Sequence, residues 1–427
     1  MSTVTKAPAI APGLAARTAP PFRLPGEHFA AGMLFLLAGA LGLVWVAPEL
    51  AAGWYPSSRV VGVAHLFTLG WITLSIWGAL YQFLPVALGE PIRWQGLAHV
   101  SFAVFVPGLV GFVAGLLGGH AWVMLVGAAA FGTGVLLFVV NLVATLARSS
   151  NRDLTWWTLV AAAVYLLITL LLGLALTGNL RWGFLGVARW TALGVHMHVA
   201  LGGWVLMVMI GVAHRLLPMF LLSHGASERW GKAAGVLVAL GVAWLALFHH
   251  AGSALAHWVP AALIGVGLLS FLVQARLFYV RRVKRQLDAG LRLAAAGLVI
   301  LGLGLVLGGV MLTTDLAPAR VATTYGAALV LGPSVFVAAH YYKIVPFLVW
   351  FHRYGPRVSE GPVPRVSELY SGRAATVAGS LLAAGVLGLL VAMLAGSGDW
   401  ARAAAVVAGI GVVVETIQMG RLGWKKP

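Results

Sequence analysis

Twelve apolar stretches, each about 20 residues or longer, run through this chain of 427 residues and leave very few folds open to it. They fall near 29–47, 60–86, 97–117, 121–147, 155–177, 189–220, 232–250, 257–279, 291–314, 321–350, 374–395 and 400–420. In hydrocarbon each backbone N–H and C=O must be satisfied within the structure, so runs of this length are helices. Strands of a membrane barrel would instead alternate in polarity over segments of about ten residues. Composition agrees, because 61% hydrophobic and 9% charged residues cannot cover a soluble surface. The expected fold class is all-α: a polytopic membrane protein with about twelve transmembrane helices. Residues 1–25, polar and rich in Ala and Pro, are expected to form a disordered cytoplasmic tail ahead of a single twelve-helix domain over 26–427. They lack the apolar core of a cleavable signal, so the first span is expected to stay in the mature protein.

A net charge of +17 raises the question of nucleic acid, but its distribution follows a membrane instead. With the N-terminus in the cytoplasm, 22 of the 28 Lys and Arg fall on cytoplasmic segments, and five (Arg59, Arg181, Arg189, Arg320, Arg402) fall outside. Lys343 lies within a span. That asymmetry predicts a multi-pass protein of the cytoplasmic (inner) membrane with both termini cytoplasmic. Membrane lipid is then the expected partner of the dense Arg276–Arg292 cluster, and no nucleic-acid role is expected. The chain has no cysteine, so disulfides and thiolate metal sites are excluded; any metal must use His, carboxylate, Met or Tyr.

Two spans share one pattern. AHLFTLGWITLSIWGALYQFLP and MHVALGGWVLMVMIGVAHRLLP both fit H-x4-G-W-x6-G-x6-P. His65, Gly70, Trp71, Gly78 and Pro85 carry it in the first copy; His198, Gly203, Trp204, Gly211 and Pro218 carry it in the second. Anchoring on the proline yields a weaker third copy, YGAALVLGPSVFVAAHYYKIVP, ending at Pro346, with Gly326 at the histidine position. Tyr81, His214 and Tyr342 hold equivalent places four residues before the prolines. The prolines lie 133 and then 128 residues apart, which predicts three pseudo-symmetric four-helix units, the second helix of each lining the centre. Small residues in such a pattern also serve close helix packing, which accounts for the glycines. A histidine recurring at one place is not explained that way, because polar side chains at membrane depth are costly and usually functional.

Topology sorts the thirteen histidines. His65, His196 and His198, with His120, His249, His250 and His257, fall in the outer half or at the outer face. Successive helical residues turn by about 100°, so His196 and His198 point about 200° apart and cannot share one metal. In the two-site reading, His198 faces His65 as the axial pair of a low-spin b-type heme and His196 is presented to a second heme or metal; the alternative is a single site. Bis-imidazole ligation fills both axial positions and favours electron transfer. Adjacent His249 and His250, at a helix end, are candidate copper ligands or else an interfacial pair. Arg181 and Arg189, beside Trp182 and Trp190, could hold heme propionates or act as interfacial anchors. His120 and His257 are expected at the interface, His28, His224 and His352 in the cytoplasm, and His214 and His340 in hydrogen bonds within the bundle.

The H-x-H pair at 196 and 198 and the motif that follows resemble the ligand helix of subunit I of heme–copper oxidases and nitric oxide reductases. The His65 helix resembles that of NnrS proteins, twelve-span relatives linked to nitric oxide metabolism. The resemblance implies a twelve-helix fold of three four-helix arcs, a high-spin heme on His196, and a low-spin heme on His198 and His65. It also implies one or two hemes b with copper as a further candidate. There are departures from that pattern. The pair lies on the sixth span rather than the tenth, no H-x-x-x-Y element is present, and acidic residues are nearly absent from the spans apart from Glu415. Proton pumping is therefore not expected. The expected function is a heme-binding membrane protein that binds or reduces a diatomic gas, nitric oxide or oxygen, or transfers electrons at the outer side. Its electrons would come from an external quinol, cytochrome or cupredoxin, since no C-x-x-C-H motif is present. Two rival readings are a non-enzymatic nitric oxide sensor or buffer, and a copper or small-solute transporter encouraged by Met197, Met207, Met209 and Met219.

Overall fold

The computed structural model describes residues 20–250, 253–313 and 318–424. Most of the expected tail lies outside the described residues, as do 251–252, 314–317 and the last three positions. All regular structure among the described residues is helical, apart from one isolated bridge between Ser223 and Arg282.

Twelve helices are long and apolar enough to cross a membrane. They are α1 (Arg23–Ala51), α2 (Ser58–Leu88), α3 (Gln95–Gly118), α4 (Ala121–Leu146), α5 (Leu154–Trp182) and α6 (Gly186–Leu221). The second half comprises α7 (Arg229–Phe248), α8 (Ala254–Val280), α9 (Ala289–Thr313), α10 (Ala319–Arg353), α11 (Gly372–Ala395) and α12 (Gly398–Leu422). Every expected span is present. An even number of antiparallel helices returns the chain to the face where it began, here called the terminal face; the other is the opposite face.

Local chemistry sets where the helices start and stop. Ser57, Asp153, Ser253 and Ser371 accept hydrogen bonds from first-turn N–H groups of α2, α5, α8 and α11, satisfying donors a helix start leaves orphaned. Gly119 (φ +69°) ends α3 in the left-handed region, which costs glycine nothing and lets α4 begin two residues later. α1 begins at Arg23, earlier than hydropathy alone suggests. His28, expected in the cytoplasm, is consequently inside the bundle and fully buried among Trp77, Tyr81 and Phe102.

The helices pack as antiparallel hairpins, with α3 on α4, α7 on α8, α9 on α10 and α11 on α12 the most extensive pairs, and α12 closes the ring against α1. Leu41, Leu171, Leu247 and Val391 face outward and are exposed, as lipid contact requires. Twelve apolar helices of this kind make a multi-pass membrane protein in contact with lipid.

α2, α6 and α10 meet at the centre. Trp71 Nε1 on α2 donates to the Ser334 carbonyl on α10 at 3.2 Å, and Trp204 Nε1 on α6 donates to Thr73 Oγ1 on α2 at 3.2 Å. Counted back from the prolines, Trp71 and Trp204 are equivalent, and so are Ser334 and Thr73. Equivalent indoles thus reach equivalent positions, from α6 to α2 and from α2 to α10, meeting a hydroxyl in one case and a backbone carbonyl in the other. The third link of the cycle is missing because Gly332 stands where α10 would need the tryptophan.

The glycines of the repeat do matching work. A Cβ on Gly70 would collide with Phe35 of α1, and one on Gly203 with Tyr165 of α5. Each glycine admits a ring from the preceding outer helix. Both inner helices also widen into π-helix at equivalent places, Leu66–Thr73 and Val199–Leu206, each directly after its histidine. α10, the weaker copy, runs as regular α-helix throughout. π turns are rare and concentrate at functional sites.

Candidate functional site

His65 and His198 sit at the α-to-π junction of their helices and are held alike. His65 Nδ1 lies 2.7 Å from the Val61 carbonyl, and His198 Nδ1 lies 2.7 Å from the Gly194 carbonyl, one turn back in each case. A carbonyl only accepts, so Nδ1 carries the proton and Nε2 presents its lone pair. That is the tautomer a metal or a donor hydroxyl needs.

The two rings meet different partners. His65 faces His196 of α6: the ring centres are 6.5 Å apart and the planes within 21° of parallel. Phe112 of α3 packs its edge on His65 at 5.1 Å. A Cβ on Gly173 of α5 would stand 3.0 Å from His196 Cε1, so the absent side chain there forms a seat for the imidazole. His196 Nδ1 and, one turn from Gly173, Thr169 Oγ1 are buried without hydrogen-bond partners.

His198 points the other way. Its Nε2 accepts from Tyr325 of α10 at 2.9 Å. This pair stands at one end of a cavity of about 350 Å³ between α6, α7, α8, α9 and α10.

The expected pairing is therefore altered. His65 is opposed by His196, and His198 by Tyr325, so the two histidines of the repeat do not face each other. The cause is the cyclic order of the inner helices: α2 presents its histidine to α6, and α6 presents its equivalent histidine to α10. The repeat pattern does not single out Tyr325, because the histidine position of the third copy is Gly326 and the polar group sits on its immediate neighbour.

The spacing of the first pair is compatible with a bis-imidazole metal centre. Imidazole–metal bonds of roughly 2 Å on either side of one ion place the two ring centres roughly 6 Å apart, close to the 6.5 Å observed here. The second pair does not fit in the same way, because a direct 2.9 Å hydrogen bond leaves no space for an ion between its partners.

The other expected site residues stay apart from these pairs. His249 and His250 end α7 with ring centres 5.2 Å apart and planes perpendicular. Among the described residues no group of three or more His, Asp or Glu stands close enough to share an ion. Arg181 and Arg189 are exposed near the α5–α6 turn, with the Arg189 guanidinium over the Trp190 ring at 4.5 Å. His257 lines the cavity. His340 bonds back to the Phe336 carbonyl at 2.7 Å, as expected, whereas His214 stands 3.6 Å from the exposed Glu228 and its Nδ1 is buried without a hydrogen-bond partner. No protein-family model matches the chain, and no curated protein matches it either.

Proposed function

We propose that this protein is a heme-binding electron carrier of the inner membrane, of the heme–copper oxidase and NnrS type, with His65 and His196 as the axial ligands of one heme b. The observation that carries this reading is the imidazole pair itself, ring centres 6.5 Å apart, with Phe112 against His65 and Gly173 against His196. Bound there, heme supplies a one-electron couple whose potential is set by its ligands and its burial.

The residues divide the work. The Val61 carbonyl fixes the His65 tautomer and ring direction, as second-layer partners of metal-bound histidines do. The Gly173 seat permits His196 to approach from α6, and Phe112 keeps water from His65. Held by both His65 and His196, the heme would supply electron transfer rather than gas binding. Arg181 and Arg189, near the same end of the bundle, are the cations available to propionates. The electrons come from an external quinol, cytochrome or cupredoxin.

The test is the reduced-minus-oxidised spectrum with pyridine hemochrome quantitation on detergent-purified protein. A b-type signal lost in His65→Ala and His196→Ala but kept in His198→Ala, with no spectral shift on adding carbon monoxide, supports the reading. Loss in His198→Ala with retention in His196→Ala would return the ligands to the oxidase pairing. Absence of heme in folded protein from heme-replete cells would refute heme binding altogether.

A further inference from the structure

The cavity beside His198 and Tyr325 combines features that select one kind of ligand. Its walls are mostly apolar, with His198, His257 and Tyr325 as the polar side chains, and carry no Asp, Glu, Lys or Arg, which favours a neutral occupant. Part of the lining is flat: Gly309 has nothing within 4 Å of where a Cβ would stand, the Tyr325 ring lies over Gly308, and Pro260 and Pro333 add two rigid rings. Flat walls suit a planar ring. The volume of about 350 Å³ lies at the small end of ligand sites, which span roughly 300–1,000 Å³.

One wall reaches the outer surface of the bundle. α8 and α9 touch only sparingly, and Gly309, Met311 and Leu312, all in the lining, are exposed. A ligand enters from lipid. Where α6 faces α10, two polar groups converge on the cavity. His198 Nε2 offers a lone pair and Tyr325 offers a hydroxyl, and now they satisfy only each other. An oxygen inserted between them can accept from the phenol and, when it bears a proton, donate to the imidazole.

A neutral, planar, lipid-soluble molecule with such an oxygen is a quinone or its hydroquinone. We infer that this cavity binds the headgroup of a membrane quinone, one ring oxygen held between His198 and Tyr325 and the tail leaving between α8 and α9. This site is built from α6–α10 and does not depend on heme at His65 and His196.

The experiment uses a photoreactive azido-benzoquinone with a decyl tail, added to the full chain in phosphatidylcholine nanodiscs, with decylubiquinone as competitor and peptide mass spectrometry to locate the label. The expected result is saturable labelling on α8–α10 that decylubiquinone competes away. Tyr325→Phe and His198→Ala should raise the competing concentration about tenfold each. Gly309→Phe fills the cavity from a position whose Cβ would meet nothing within 4 Å, so it leaves the fold intact and should abolish labelling. Labelling that Gly309→Phe leaves unchanged would overturn the inference. So would Cu(I) binding lost in Met209→Leu without any competable quinone label, which would assign the cavity to metal transport. The heme signal serves as a separate readout: it should persist in all three variants, and His65→Ala should leave quinone labelling as it was.

Discussion

Cutting the hydrogen bond from Trp204 Nε1 to Thr73 Oγ1 tests whether α6 and α2 are held in the register that opposes His196 to His65. Both residues are buried, at 2% and 1% exposure, and the bond is 3.2 Å. Thr73 Oγ1 also donates to the Thr68 carbonyl at 2.8 Å, so its proton is committed and its lone pair is what the indole finds. Thr73→Val removes both bonds and strands a buried indole N–H, at a cost of about 1–3 kcal/mol. Trp204→Phe leaves the Thr68 bond in place but loses the indole contact and leaves a void. The shared term emerges from the double-mutant cycle, where bonds of this kind in membrane proteins couple by about 0.6 kcal/mol on average and about 1.7 at most. The assay is reversible unfolding in dodecylmaltoside with increasing dodecyl sulfate, on native protein, both single variants and the double variant. A coupling below about 0.3 kcal/mol, the scale on which independent sites add, would show that the bond does not join the two helices in the folded protein.

Three further outcomes are expected. Asp288, just ahead of α9, is partly buried, which favours its neutral form, but hydrogen bonds from Lys284 at 2.6 Å and from Lys343 outweigh burial and bring its pKa down to about 2. The folded value lies below the unfolded one of about 4, so the stabilisation is complete above pH about 4 and is lost as pH falls toward 2; thermal melts across that window should show the loss in native protein and a flatter profile in Asp288→Asn. Gly173→Leu should push His196 off its seat and, on the heme reading, cut the b-type signal several-fold, whereas Gly309→Leu, placed in open space, should leave it unchanged in the same spectrum. Glu415 is wholly buried in α12 with neither carboxyl oxygen bonded, so Glu415→Met should hold or raise the melting temperature, about 1 kcal/mol in its favour, by removing an unsatisfied polar group; a clear fall would mean that the carboxyl does work not visible in its contacts.

The twelve spans were legible because their signal is local: a helix in lipid satisfies its own backbone, so hydropathy over about 20 residues locates it wherever its neighbours lie. The repeat was legible for a related reason. His, Trp and Pro at constant spacing persist along the chain whatever the packing, and the structure gives Gly70 and Gly203, and Trp71 and Trp204, matching neighbours. Even the divergence of His196 and His198 followed from helical pitch alone.

Which partner each of those histidines meets was decided only by tertiary structure. Pitch puts the two on opposite sides of α6 but does not say on which side α2 stands; that depends on how the other helices are arranged around α6, and residues separated by 131 or 127 positions have no local signature. The π turns compound the difficulty, since they shift the face presented by everything beyond them and form here where rings from α1 and α5 press on Gly70 and Gly203. The sequence by itself therefore determined a twelve-span bundle with a twice-repeated histidine, because those properties are periodic and local. The assembled helices decided that one copy opposes an imidazole and the other a phenol, because only packing brings distant segments together.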